Sequence, residues 1–479
     1  MKLFSSRIPE QPRPGGVREM LAIAAPMVVS SACDTIMTFT DRLFLARIGP
    51  ELMSAAMAGG LTCFMLTTFF VGLMGYTTAL VAQYLGAGRK VMCAVATVQA
   101  LIVCVVAYPL ILACRPLAHL LFDYSGIGAE QLGPQKIYFD ILLNGAWISL
   151  VRTCLSGFFS GIGRTRVVMV SAMVAMIANV AANYVLIFGK LGFPALGIAG
   201  AAYGTIIGSL CGLAVMIAAF FAPRNRTEYA VTQALRYDRA VMGRLLRFGS
   251  PAGVELFLNL LAFDALILVF HACGVAAATA ITVVFNWDMV SFVPLLGIHI
   301  GVTSLVGRYM GAGDPDTAHR ATMSGLRLAW GYGCCTLILF ALGAEPLVGV
   351  FRPQGDPGAF ADAQPLAVFM LRLAALYVLA DATSLVFSGA LRGAGDTLWA
   401  MIISVGLHWA LVAAVMVMLR VFHLSVVHAW VALCLLVLVF SALFYLRYRS
   451  GQWRSIRVVR APEDSQPLVT DGLHETPDL

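Results

Sequence analysis

Apolar residues fill this chain in long blocks separated by short polar breaks. A helix needs roughly 20 apolar residues to cross the hydrocarbon of a bilayer, at about 1.5 Å per residue. Twelve blocks reach that length, near 20–46, 53–80, 92–114, 137–160, 167–189, 196–222, 246–271, 279–306, 321–344, 365–390, 398–419 and 425–447. The pattern predicts twelve transmembrane helices and an all-α integral membrane fold. The first block does not read as a signal peptide. It is too long, carries Asp34 and Asp41, and no small-residue cleavage site follows it.

Composition agrees with that reading. Of 479 residues, 60% are hydrophobic and 12% charged, with mean hydropathy +0.85; a soluble domain carries about 25% charged residues. The 11 Cys sit singly in apolar runs, apart from Cys334 and Cys335, and none shows the C-x-x-C spacing of zinc or redox sites. They read as small apolar helix residues, and neither a metal nor a cofactor is expected.

The basic residues set an orientation, because short cytoplasmic loops collect Lys and Arg. With both termini inside, 22 Lys and Arg fall on the inner side, from Lys2, Arg89 and Arg164 through Arg239 to Arg460. Six fall outside: Arg47, Arg115, Lys136, Lys190, Arg352 and Arg420. The asymmetry predicts cytoplasmic N- and C-termini in a bacterial inner membrane. It also accounts for the net charge of +7 without any nucleic-acid partner. The acidic stretch from Ala461 to Leu479 reads as disordered.

A shift of 225 residues lays the chain on itself. Pro26 meets Pro251, and Val81-Ala-Gln-Tyr-Leu-Gly-Ala-Gly88 meets Val306-Gly-Arg-Tyr-Met-Gly-Ala-Gly313 with five of eight positions identical. Pro116-Leu117 meets Pro346-Leu347 at 230, and Ser156-Gly157, Gly161, Gly163 and Thr165 meet Ser388-Gly389, Gly393, Gly395 and Thr397 at 232. Six helices is an even number, so the two halves run parallel, related by an axis along the membrane normal with the substrate path between them. The expected division is a segment 1–19, a first lobe 20–222, a cytoplasmic linker 223–244, a second lobe 245–447 and a partly disordered tail 448–479. Gly86-x-Gly88 and Gly311-x-Gly313 lack the strand–loop–helix context of phosphate loops and read as helix-terminating turns. No nucleotidase domain fits in the chain, so active transport has to draw on an ion gradient.

Several of these landmarks resemble the multidrug and toxic compound extrusion (MATE) family, from about Leu21 to Arg449. They are Leu21-Ala-Ile-Ala-Ala-Pro26, Asp41 fifteen residues after that proline, the paired V-x-x-Y-x-G-A-G loops, Asn179-x-x-x-Asn183-Tyr184, Gly197-x-x-Gly200-Ala201-Ala202-x-x-Thr205, and Ser388-Gly-Ala-Leu-Arg392-Gly-Ala-Gly-Asp396-Thr397. The resemblance implies a V-shaped pair of six-helix lobes that exports cationic or amphipathic compounds in exchange for H⁺ or Na⁺. It is closer to NorM-like than to DinF-like members, since Asn183 stands where the latter have an acidic residue. Asp381 matches the acidic residue of helix ten in NorM-like proteins. The chain departs from the family in helix seven: the usual Glu eight residues after the proline is Asn259, with Glu255 one turn earlier and Asp264 matching a second Glu of eukaryotic members. The missing Glu favours H⁺ over Na⁺.

The residues point to the same positions by their chemistry. A carboxylate at mid-membrane costs about 2.5–3.5 kcal/mol even on the lenient insertion scale, so its presence suggests a function. Asp34 and Asp41 lie seven apart on one helix face, and Asn179 and Asn183 one turn apart; together they suggest a polar pocket in the first lobe. Glu255 with Asn259, and Asp381 with Ser384 and Ser388, suggest a second pocket in the other lobe. Asp264 points roughly opposite Glu255. Asp288 and Asn286 are weaker candidates, and Arg392 with Asp396 reads as a structural pair. The alternative for Asn and Ser is helix cross-linking at about 0.6 kcal/mol per bond.

These observations fit an ion-coupled antiporter, a monomer that meets small organic cations or amphipathic drugs, H⁺ or Na⁺, and the lipid bilayer. A flippase for a lipid-linked saccharide is the alternative and favours a more cationic cleft. Only Arg42, Arg152, Arg327 and Arg372 lie clearly within helices. An integral-membrane transferase needs a paired Asp-rich motif or a His/Asp constellation. His271, His299, His408, His423 and His428 are instead scattered.

Overall fold

The computed structural model describes residues 13–126, 128–352 and 358–459. In chain order the helices of the first half are α1 Val17–Ala46, α2 Pro50–Gly75, α3 Thr77–Gly86, α4 Lys90–Ala113, α5 Arg115–Tyr124, α6 Ala129–Asn144, α7 Ala146–Gly161, α8 Thr165–Phe188 and α9 Gly197–Phe220. A short α10, Pro223–Glu228, lies in the linker, before α11 Arg239–His271, α12 Val275–Gly311, α13 Pro315–Gly349, α14 Gly358–Ala394, α15 Thr397–Arg420 and α16 Val426–Arg449. Among the described residues, eleven spans are long and apolar enough to cross a membrane, or twelve if the pair α6 and α7, bent by 44°, is one span. The protein is an all-α, multi-pass membrane fold. Helices α12 and α14 have 37 residues each, well beyond what the hydrocarbon needs. Their polar ends project past the apolar blocks, which is why hydropathy alone places the boundaries too far inward.

The two halves repeat each other in three dimensions. Helices α8 and α15 are both 24 residues long and offset by 232 at each end. Helices α9 and α16 are also 24 residues each, offset by 229, and α1 and α11 end 225 apart. Packing follows the same rule: α1 lies against α8 within its lobe and α12 across the interface, while α11 lies against α15 and α2. The apolar cores of the lobes are separate, one built around Phe139, Phe158 and Phe220, the other around Phe270, Phe340 and Trp430.

The lobes meet tightly at the end that carries the linker. A Cβ on Gly86 would stand 1.8 Å from the Arg308 carbonyl oxygen, and one on Gly311 2.0 Å from that of Gln83. Gln83 and Arg308 are themselves repeat equivalents, so this is one symmetric crossing. Of each Gly-x-Gly pair, only the second residue makes the expected left-handed turn, Gly88 at φ 73° and Gly313 at φ 76°. Gly86 and Gly311 instead allow two helix ends to touch. Polar bonds across the lobes reinforce the seal: Gln83 Nε2 donates to Gly393 O at 2.8 Å, Ser304 Oγ to Ser160 O at 2.7 Å, and Tyr309 Oη to Glu19 at 2.7 Å.

After α16 the chain turns back at this end rather than trailing away. Trp453 is buried and stacks on Tyr448, and Val458 packs over Gly395. The expected disorder of Ala461–Leu479 lies outside the described residues.

Candidate functional site

A cavity of about 1000 Å³ runs between the lobes and mainly into the first one. It extends from Leu45, Ala56 and Tyr138 to Ser160, Thr303 and Arg392 near the linker-end seal. Apolar walls (Met37, Leu61, Phe64) alternate with charged groups: Asp34, Asp41, Arg42, Arg152 and Arg392 all line it.

Asp41 has a built environment. Its side chain is buried, at 7% exposure. The Asn183 amide donates to its Oδ1, and Thr205 Oγ1 donates to Oδ2 at 2.9 Å. Asn179 joins the group, with its Nδ2 3.4 Å from Thr205 Oγ1 and its Oδ1 3.4 Å from Asn183 Nδ2. None of the ion pairs among the described residues includes Asp41. Close approach of α8 and α9 makes the cluster possible. A Cβ on Gly204 would fall 1.9 Å from Asn183 Oδ1, and one on Gly208 2.7 Å from Asn179 Cβ. The structure therefore brings Asp41, Asn179 and Asn183 together as expected and adds Thr205. The signal for Thr205 was its place in the Gly197–Thr205 motif, one residue after a glycine that faces α8.

Asp34 lines the same cavity but belongs to another contact. Its exposed carboxylate stands 3.6 Å from Arg152 Nη2 of α7, outside the hydrogen-bond set of Asp41.

The second pocket of the sequence reading is not one pocket. Glu255 Oε1 pairs with Arg392 Nη2 at 2.8 Å, and its Oε2 is buried without a partner. Arg392 is thus not the partner of Asp396, which instead holds Arg447 Nε at 2.8 Å. The reason is the helix end: α14 stops at Ala394 and Gly395 turns left-handed at φ 97°, so Asp396, which opens α15, no longer shares a face with Arg392. Asn259 Nδ2 donates to Ser404 Oγ at 2.7 Å on α15, leaving its Oδ1 buried and unmet. No hydrogen bond or ion pair among the described residues joins the Asp381 carboxylate to Glu255 or Asn259; it lies on α14 one turn beyond Tyr377, whose Oη donates to Asp288 Oδ1 at 3.0 Å. Ser384 Oγ bonds to the Asp381 carbonyl rather than joining the carboxylate. Asp264 is half-buried, and no hydrogen bond or ion pair among the described residues engages its carboxylate.

The geometry of two packed repeats around a polar cleft has a counterpart in known proteins. A family model, MatE, matches residues 26–185 and again residues 251–418, so it finds each half separately. The chain belongs to the MatE family. Its MatE segments begin at the equivalent prolines Pro26 and Pro251. Among curated relatives, a probable multidrug resistance protein NorM of Thermotoga maritima is 26% identical over 463 residues, covering 95% of this chain and 97% of the relative. The multidrug resistance protein PmpM of Pseudomonas aeruginosa is 28% identical over 400 residues, covering 82% of each. Solved structures share the fold at 19% identity. One is a MATE protein in complex with MaL6, with a TM-score of 0.83, covering 93% of this chain and all of that one. Another is an outward-facing multidrug resistance MATE transporter, also at 0.83, covering 91% and 95%. As a MatE protein of NorM-like kinship, this chain is a membrane transporter and not an enzyme.

Proposed function

We propose that the protein is an H⁺-coupled antiporter that exports cationic or amphipathic small molecules across a bacterial inner membrane. The observation that carries this reading is the environment of Asp41: a buried carboxylate on the cavity wall, held by neutral donors and, among the described residues, in no ion pair, with the adjacent Arg42 also lining the cavity. Burial disfavours the charged form of a carboxyl group. Such a site holds a proton readily and gives it up when a cationic compound enters the cavity or water reaches it. Proton and drug then compete for one charge, and each biases the balance between two arrangements of the lobes by its differential affinity. The names of the NorM and PmpM relatives support multidrug export. Asn259 in place of the usual helix-seven Glu favours H⁺ over Na⁺.

Orientation belongs to the same proposal. The linker end carries the excess of Lys and Arg, so it faces the cytoplasm, and a seal there leaves the cavity facing outward. The six-helix halves, joined by 223–244, act as the moving bodies of a monomer.

Asp41→Asn is the direct test. Asn keeps the size and most hydrogen bonds but not the charge. Efflux of a cationic dye from proteoliposomes under a pH gradient is expected to fall at least tenfold, and the pH dependence of dye binding to flatten. Near-normal efflux with an unchanged pH profile would sink the carboxylate mechanism and leave the fold untouched. Efflux driven by a Na⁺ gradient at equal pH, and insensitive to a protonophore, would reverse the choice of ion.

A further inference from the structure

Arg152 of α7 reaches the cavity opposite Asp34 of α1. Its Nη2 stands 3.6 Å from Asp34 Oδ1, with the arginine side chain 17% exposed and the aspartate 51%. At that distance the charges attract, but no hydrogen bond forms. Arg152 Nε is buried and has no acceptor. A guanidinium presents five donors in a planar fork that suits a carboxylate gripped through two of them. Here the fork is partly idle, in a cavity at membrane depth where an unmet charged donor is unfavourable. Arg392, the deeper arginine of the cavity, also has a buried Nε without a partner, but its Nη2 is already held by Glu255 at 2.8 Å.

We infer that Arg152 anchors the carboxylate of a zwitterionic amphipath whose positive group rests on Asp34, an inference that builds on the export reading above. The two opposite charges lie on facing walls, each with binding capacity to spare, and a zwitterion adds no net charge to a low-dielectric space. A carboxylate gains a two-point grip from Nη1 and Nη2, the guanidinium nitrogens that are not fully buried. The apolar body of the compound lies against Met37, Leu61 and Phe64 of the same walls. A compound that is only cationic must share Asp34 with Arg152, which acts as a tethered competing cation. Arg152 is therefore a selectivity residue within the cavity.

A matched dye pair isolates the carboxylate. Tetramethylrhodamine with a free carboxylate is zwitterionic, and its methyl ester carries the positive charge alone. Fluorescence polarisation with the purified full chain should show the free acid bound about tenfold more tightly than the ester. In Arg152→Gln the free acid should weaken by about the same factor, while the ester holds or tightens as Asp34 is released. Retained ester binding also reports that the variant is folded. Arg152→Lys keeps the charge without the fork and should fall between the two. Equal weakening of both dyes in Arg152→Gln would mean that Arg152 only orients Asp34, and would overturn the inference; so would no change, or a wild type without preference for the acid. Ester efflux that persists and still depends on Asp41 leaves the export reading standing when the inference fails. Failure of the wild type to bind either dye removes both.

Discussion

The two lobes share a backbone plan but not a chemistry. Applying the offsets of 225, 232 and 229, the positions of Asp41, Asn179, Asn183 and Thr205 in the first lobe correspond to Leu266, Leu411, Val415 and Cys434 in the second. All four of those residues belong to one buried apolar core. The same four places therefore hold a buried, hydrogen-bonded carboxylate site in one half and ordinary packing in the other. The reverse also occurs: Glu255 and Arg392 of the second lobe correspond to Ser30 and Ser160, two small residues on the cavity wall. At the linker end the polarity is exchanged rather than lost. Arg164 reaches Glu228 at 2.8 Å, while its counterpart Asp396 accepts from Arg447 at 2.8 Å. A repeat thus preserves helix length, crossing points and packing order, because these keep the lobes superposable. Polar groups inside each lobe are free to diverge once the scaffold holds them.

Breaking the second lobe's private ion pair should have the largest effect on stability. Arg392→Ser leaves Glu255, 5% exposed, as a buried charge without its partner, and removing one member of such a pair costs about 3–5 kcal/mol. The double change Glu255→Ser with Arg392→Ser installs what the first lobe has at those places. It should recover most of the loss in thermal unfolding of the purified protein. A double variant as unstable as the single one would show that the pair is not what distinguishes the lobes there.

The next effect concerns how closely α8 and α9 approach. Gly204→Ala drives a methyl into Asn183 Oδ1 and should lower stability by about 1–3 kcal/mol. It should also displace Asn183 from Asp41 and reduce transport. The counterpart position is Leu433, a packed side chain. Leu433→Ala should leave a cavity and lower the melting temperature with transport per folded molecule retained. Equal transport losses from both changes would erase the functional contrast between the lobes.

The smallest effect is at the linker. The hydrogen-bonded ammonium of Lys90 holds the Glu228 carboxyl below its usual range, and Arg164 adds to this. The folded value lies below the unfolded one, so this stabilisation is complete above the ordinary Glu value near about 4.3 and fades as pH falls through the folded value. Glu228→Gln should therefore be slightly less stable than the wild type at neutral pH, lose stability less steeply below about 4, and converge with it in acid. An identical acid limb in the two proteins would remove the linker contact from the account.

Much of this molecule is determined by the sequence alone. Twelve apolar blocks imply twelve spans because an unpaired backbone cannot cross lipid. The 225-residue repeat and its drift to 232 are also readable there, since matched Pro, Gly and Thr residues mark helix ends. Asp41, Asn179 and Asn183 stand out for the cost of burying them and for their spacing on α1 and α8. Which groups meet across helices was decided by tertiary structure. Thr205 reaches Asp41 from 164 residues away, and Arg392 reaches Glu255 instead of the nearby Asp396. Such partners depend on how far each helix is rotated about its axis and how near its neighbour comes. Those two quantities are set by small residues such as Gly204 packing against α8, and periodicity along one helix carries no record of the helix it will touch.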